Sequence, residues 1–178
     1  IHMAMCVAKG IACFGKGVRQ GLCYYFAAED PAGVRERIMG WEEHYNCGNP
    51  VPQMQMVPHS FNLLDKEHQD KFCGAVENIF KGMPKDRRKI SLIVIDTLST
   101  NNTAMSLGGK PLDENSNNDM AAMLTASNTL ARRLDCAILF IHHSGKDSEK
   151  GARGASALRA NVGFEIKARG IKGQSAVI

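Results

Sequence analysis

The stretch Ile90-Ser-Leu-Ile-Val-Ile-Asp96-Thr97 constrains the fold most, because a branched apolar run stops there abruptly on a carboxylate. Continuous hydrophobic runs mark strands buried on both faces of a parallel sheet, and ligands bind outside the carboxyl ends of such strands. Asp96 is therefore expected at the ligand edge of a sheet. A second apolar run, Leu22-Cys-Tyr-Tyr-Phe-Ala-Ala28, stops on Glu29 and is followed by Asp30-Pro31. Two carboxylates delivered to one edge make a candidate site for a metal ion and a water molecule.

The segments around these strands read as helices and further strands. Residues 1–9 are short and apolar, with Gly10 as a helix stop. Asp30 is expected as an N-cap and Pro31 as the first helical residue, ahead of an apolar face Val34, Ile38, Trp41 and Tyr45. Residues 53–57 read as a weak strand. Asp65 is expected to cap a helix with Phe72, Val76, Ile79 and Phe80 on one face. The basic segment 85–89 reads as a solvated turn. Residues 99–118, rich in Ser, Thr, Asn and Gly, read as a long polar loop of the kind that is functional or mobile. A helix over 118–134 follows, with Met120, Leu124, Leu130 and Leu134 facing inward. Then come a third buried strand at 136–141, a second Gly-rich loop at 144–155, a strand near 162–168 and the opening of another at 174–178. Strands alternating with helices predict an α/β fold with a mainly parallel sheet flanked by helices.

At 178 residues the chain suits one domain, and 44% hydrophobic with 22% charged residues is ordinary for a globular protein. No apolar run approaches the roughly 20 residues of a membrane-spanning helix, so no membrane partner is expected. The six cysteines are scattered without a Cys-x-x-Cys pair, which argues against a zinc or disulfide framework and for a reducing, cytoplasmic setting. A net charge of +4 permits an anionic partner without requiring one.

Gly10-Ile-Ala-Cys-Phe-Gly15-Lys16-Gly17 nearly matches the phosphate-loop pattern G-x-x-x-x-G-K-[ST]. Its physics fails: Gly17 replaces the magnesium-binding hydroxyl, no buried strand precedes it, and no room remains for a phosphate-capping helix before residue 22. His142-His143 ends the third strand at the edge where Glu29 and Asp96 are expected. An imidazole there can sense a phosphate or orient water, or simply be a hydrogen-bonded loop residue. The segment Gly151-Ala-Arg153-Gly-Ala-Ser156-Ala-Leu-Arg159 offers backbone donors, a hydroxyl and two guanidiniums suited to phosphates, although a solvated loop reads almost as well.

Five segments occur in order: Ala27-Ala-Glu29-Asp30-Pro31, Val94-Ile-Asp96-Thr97-Leu98, Asp113-Glu-Asn-Ser116 with Asp119-Met120, His142-His143-Ser-Gly-Lys146, and 151–159. Together they resemble the RepA-type replicative helicases of plasmids and phages, a branch of the RecA/DnaB-like motor ATPases, over nearly the whole chain. The resemblance implies a RecA-like fold binding ATP and magnesium, with Glu29 as general base, Asp96 holding magnesium through water, and Thr97 beside it at the nucleotide. It further implies His142 as phosphate sensor and Arg159, with Arg153 as the alternative, as an arginine finger for the neighbouring subunit. A homo-oligomeric, hexameric ring on single-stranded DNA is implied, with segments 99–118 and 144–155 facing the DNA. The family's phosphate loop would precede residue 1, so residues 1–178 are expected to be a motor-core fragment, truncated at the N-terminus and at the C-terminus, with little nucleotide binding of its own. The function so implied is a DNA-dependent motor ATPase. A non-catalytic DNA-binding or replication-scaffold protein with a degenerate nucleotide site is the alternative.

Overall fold

A computed structural model describes residues 1–107, 110–143, 158, 161–166 and 168. The elements are α1 (His2–Lys9), β1 (Leu22–Ala27), α2 (Pro31–Asn46), β2 (Met54–Val57), α3 (Lys66–Lys81), β3 (Ile90–Asp96), α4 (Leu98–Ala104), β4 (Ser106–Leu107), β5 (Lys110–Pro111), α5 (Asn117–Leu134) and β6 (Ala137–Phe140). Strands β2-β1-β3-β6 form one sheet in that order, and every pairing in it is parallel. The α/β architecture expected from the alternation is present.

Side chains on a strand alternate between faces, and this rule sorts the core into two layers. Leu22, Tyr24 and Phe26 of β1 and Ile93 and Ile95 of β3 pack with Cys73 and Val76 of α3 and Met120, Met123 and Leu130 of α5. Cys23, Tyr25 and Ala27, with Leu92 and Val94, pack on the other face against Ala4, Met5, Cys6 and Ala8 of α1 and Val34 and Trp41 of α2. A register shift between Leu22 and Cys23 lies at the start of the β1–β3 ladder, beyond which the strands run in step until Ala27 pairs with Asp96.

The local signals place the helices. Asp30 accepts a hydrogen bond from the Gly33 N–H at 2.9 Å, with Pro31 in the first turn. Asp65 caps α3 through His68 N–H at 3.1 Å, and Ser116 caps α5 through Asp119 N–H at 3.3 Å. Gly10 closes α1 in the left-handed region (φ 79°), where its N–H bonds the Cys6 carbonyl. Past it, Cys13 and Lys16 exchange two backbone hydrogen bonds of 2.9 Å, so the near-match to a phosphate loop is a tight turn.

Several expectations are corrected. Segment 99–118 is not an unstructured loop: it holds α4, the antiparallel pair β4–β5 and the cap of α5. Its polar composition hides buried anchors, for Leu98, Asn101 and Met105 are fully buried and Leu112 nearly so. Asn101 accepts from Phe61 N–H at 2.8 Å and donates to the Thr97 carbonyl at 2.8 Å, an internal use that its residue type does not advertise. Strand β6 is only half-buried, with Ala137 exposed, because among the described residues it pairs with β3 alone. The strand expected near 162–168 is absent from 161–166, where Phe164 and Ile166 are exposed and no described strand supplies a ladder. Ile79 and Tyr45, expected on inward faces, are also largely exposed, and Cys73 takes an inward place on α3. The expected loop at 144–155 and strand at 174–178 lie outside the described residues. No described helix is long and apolar enough to cross a membrane.

Candidate active site

Adjacent strands β1 and β3 deliver the two expected carboxylates to one edge of the sheet. The Ala28 N–H donates to the Asp96 carbonyl at 3.0 Å, which ties the chain just before Glu29 to the end of β3. Thr97, almost fully buried, donates its hydroxyl to Glu29 Oε2 at 2.7 Å. Thr100 Oγ1 on α4 reaches the same oxygen at 3.4 Å and lies 3.1 Å from Thr97 Oγ1. Glu29 is thus held by hydroxyls on one oxygen while its side chain stays half exposed. The Asp96–Thr97 peptide bond is cis.

Asp96 is oriented from β1. The Tyr25 hydroxyl donates to Asp96 Oδ2 at 2.6 Å, a short charge-assisted bond. Burial first, and then that bond, push the Tyr25 phenol far above its ordinary value, so it is a permanent donor. Ile1, at the N-terminal end of α1, lies within electrostatic range of the Asp96 carboxylate. That end of a helix carries partial positive charge and suits anions.

The third strand brings its histidines to the same edge. Ile141 N–H donates to the Ile95 carbonyl at 2.9 Å, and the Ile141 carbonyl accepts from Leu98 N–H at 2.8 Å. His142 follows directly and is half-buried, while His143 Nε2 lies 3.8 Å from Glu29 Oε2. Both partners of that pair are at least half exposed, so it contributes little to stability. Of the six expected site residues, Glu29, Asp96 and Thr97 converge and His142 ends the neighbouring strand. Arg153 and Arg159 lie outside the described residues.

Tyr25 and Thr100 join the site without having been picked out in the sequence, whereas His143 belongs to the histidine pair expected at this edge. Tyr25 had a usable signal, since it stands two residues before Ala27, the partner of Asp96, and on the same sheet face. A buried tyrosine hydroxyl usually finds a hydrogen-bond partner. Thr100 could be found only once α4 was known to be helical. Asp113, Ser116 and Asp119 serve the start of α5: Asp113 N–H donates to Asp119 Oδ2 at 3.0 Å, alongside the Ser116 cap.

Hard cations prefer oxygen donors, and two carboxylates with neighbouring hydroxyls fit magnesium and its waters. The tight turn at 13–16 does not fit a triphosphate, for Cys13 and Lys16 donate their N–H groups to each other's carbonyls. A four-stranded parallel sheet flanked by helices, whose adjacent central strands each end in a carboxylate, has the architecture of a RecA-like nucleotide-hydrolase core. Residues 1–149 match AAA_25, described as an AAA domain, and the chain belongs to that family of P-loop ATPases. No curated protein matches it.

Proposed function

We propose that this chain is the core of a DNA-dependent motor ATPase, a replicative helicase that couples ATP hydrolysis to movement along single-stranded DNA. The observation that carries the reading is the juxtaposition of Glu29 and Asp96 on paired strand ends, with the Thr97 hydroxyl 2.7 Å from Glu29. Asp96, oriented by Tyr25, holds magnesium through a water molecule. Magnesium bound there supplies positive charge to the β- and γ-phosphates. Glu29 accepts the proton of the attacking water, and Thr97 and Thr100 keep its carboxylate aimed. His142 senses the terminal phosphate from the end of the adjacent strand. Arg159, or Arg153, completes the site of the next subunit in a homo-oligomeric ring, six-membered by resemblance.

The phosphates themselves need a nest of backbone N–H groups and a lysine, which residues 10–17 do not form. Residues 1–178 alone are expected to show no ATP hydrolysis above background. A protein in which a G-x-x-x-x-G-K-[ST] loop precedes Ile1 is expected to hydrolyse ATP with magnesium, and faster when single-stranded DNA is added. Robust hydrolysis by residues 1–178 alone would return Lys16 as a phosphate ligand. DNA binding that is indifferent to nucleotide, with no hydrolysis in the loop-bearing protein, would favour the replication-scaffold reading.

A further inference from the structure

A second cluster of chemistry-bearing side chains lies on α1 and the turn after it. His2 and Cys6 are one helical turn apart, which places them on one face, and Nε2 of His2 lies 3.5 Å from Cys6 Sγ. The chain reverses at Gly10 and returns Cys13 to the same place. One nitrogen and two sulfurs then lie within 4.8 Å of one another. Cys6 is fully buried and Cys13 nearly so, and neither is in a disulfide.

We propose that His2, Cys6 and Cys13 form a binding site for a thiophilic d10 cation, zinc or the cuprous ion. The geometry is close to what such an ion needs. Donors held about 2.0–2.3 Å from a shared centre stand roughly 3.5–4 Å apart, so the His2–Cys6 pair is already at ligand spacing. Sulfur and imidazole favour this class of cation over magnesium, which separates the cluster chemically from the oxygen site at Asp96. Two thiolates and a neutral imidazole balance the charge of zinc fully. The rings of Phe14 and Tyr45, each 5.3 Å from the His2 ring, limit the imidazole's movement.

Trp41 Nε1–H donates to His2 Nδ1 at 3.0 Å, so the neutral imidazole carries its proton on Nε2, facing Cys6. For Nε2 to bind an ion, that proton moves to Nδ1 while the two thiols release theirs to solvent. Nδ1 is then a donor, and the Trp41 indole must turn away from it. Trp41 is the chain's only tryptophan, so its emission reports loading.

The test uses the whole chain, reduced and metal-free under inert gas. It is titrated with zinc against a chromophoric chelator and, separately, with cuprous ion against bathocuproine disulfonate. The two arms decide which cation the site prefers. One equivalent retained per chain is expected in at least one arm, with the Trp41 emission changing until one equivalent is reached. Cys13→Ser should weaken binding by more than the roughly 10–100-fold typical of losing a residue that merely supports a ligand, and His2→Ala should weaken it too. Cys47→Ser, at an exposed cysteine, should bind like the parent. Cys6→Ser is the stricter variant, but its burial threatens folding, so Cys13→Ser with an unchanged circular dichroism spectrum carries the decision. The proposal is overturned if the reduced protein retains neither ion, including the case where air merely joins Cys6 to Cys13. Retention undiminished in folded Cys13→Ser overturns it equally.

Discussion

Tyr25 shows how a single hydroxyl ties strand chemistry to the site, since it is buried within β1 yet donates to the half-buried carboxylate at the end of β3. Tyr25→Phe is expected to lower stability by about 1.5 kcal/mol, the lower end for a hydrogen bond to a charged group. Urea unfolding measures this, and an unchanged midpoint would show that Asp96 does not depend on the bond. Burial also sets an alkaline limit. It pushes the Cys23 thiol from 9.0 up to about 12 and raises the Tyr25 phenol from its ordinary 10.0. A group whose pKa is raised by folding contributes stability that is complete below its unfolded value and lost as pH climbs toward its folded value. Stability is therefore expected to hold below about pH 9 and fall from there through pH 12. Cys23→Ala should make that decline shallower, and an identical alkaline profile in the variant would contradict the assignment.

The elements differ in how legibly the sequence announces them. Strands β1 and β3 were readable because both are buried on two faces, so nearly every residue is apolar until a carboxylate ends the run. Helices α2 and α3 were readable from caps whose side chains do bond N–H groups of the first turn, and α5 from its inward apolar positions. Segment 99–118 was not, since its buried apolar anchors are few and polar side chains with internal partners help to hold α4. Asn101 is the clearest case: fully buried, it bridges Phe61 N–H and the Thr97 carbonyl next to the site. Asn101→Ala strands the Phe61 N–H and is expected to cost about 2–3 kcal/mol, with the urea midpoint falling at unchanged slope. A loss well under 1 kcal/mol would mean that water or a rearranged α4 replaces the amide. The region 161–166 failed for the opposite reason. A strand was expected there, but a strand exists only where a neighbour pairs with it, and no described strand does.

At the scale of the whole molecule, the α/β class and the convergence of Glu29, Asp96 and Thr97 were legible, because sheet topology follows from alternation and ligand edges follow from strand ends. The soft-donor cluster was not legible: its cysteines lack a paired spacing, and only the turn at Gly10 brings Cys13 back to α1. The ring proposed for this chain predicts complementation between subunits. In the loop-bearing protein, mixing Arg159→Ala subunits with Glu29→Gln subunits should restore activity that neither shows alone, since some interfaces then pair an intact base with an intact finger. No recovery in assemblies shown to exchange subunits would move the finger to Arg153 or remove it. The central claim is the division of labour between the two strand-end carboxylates, and nucleotide binding and hydrolysis measured separately on Glu29→Gln in that loop-bearing protein test it most directly. Binding should stay close to that of the parent while hydrolysis falls by roughly 10²- to 10⁴-fold, the loss expected for a general base. Hydrolysis by Glu29→Gln at the parental rate would contradict the account.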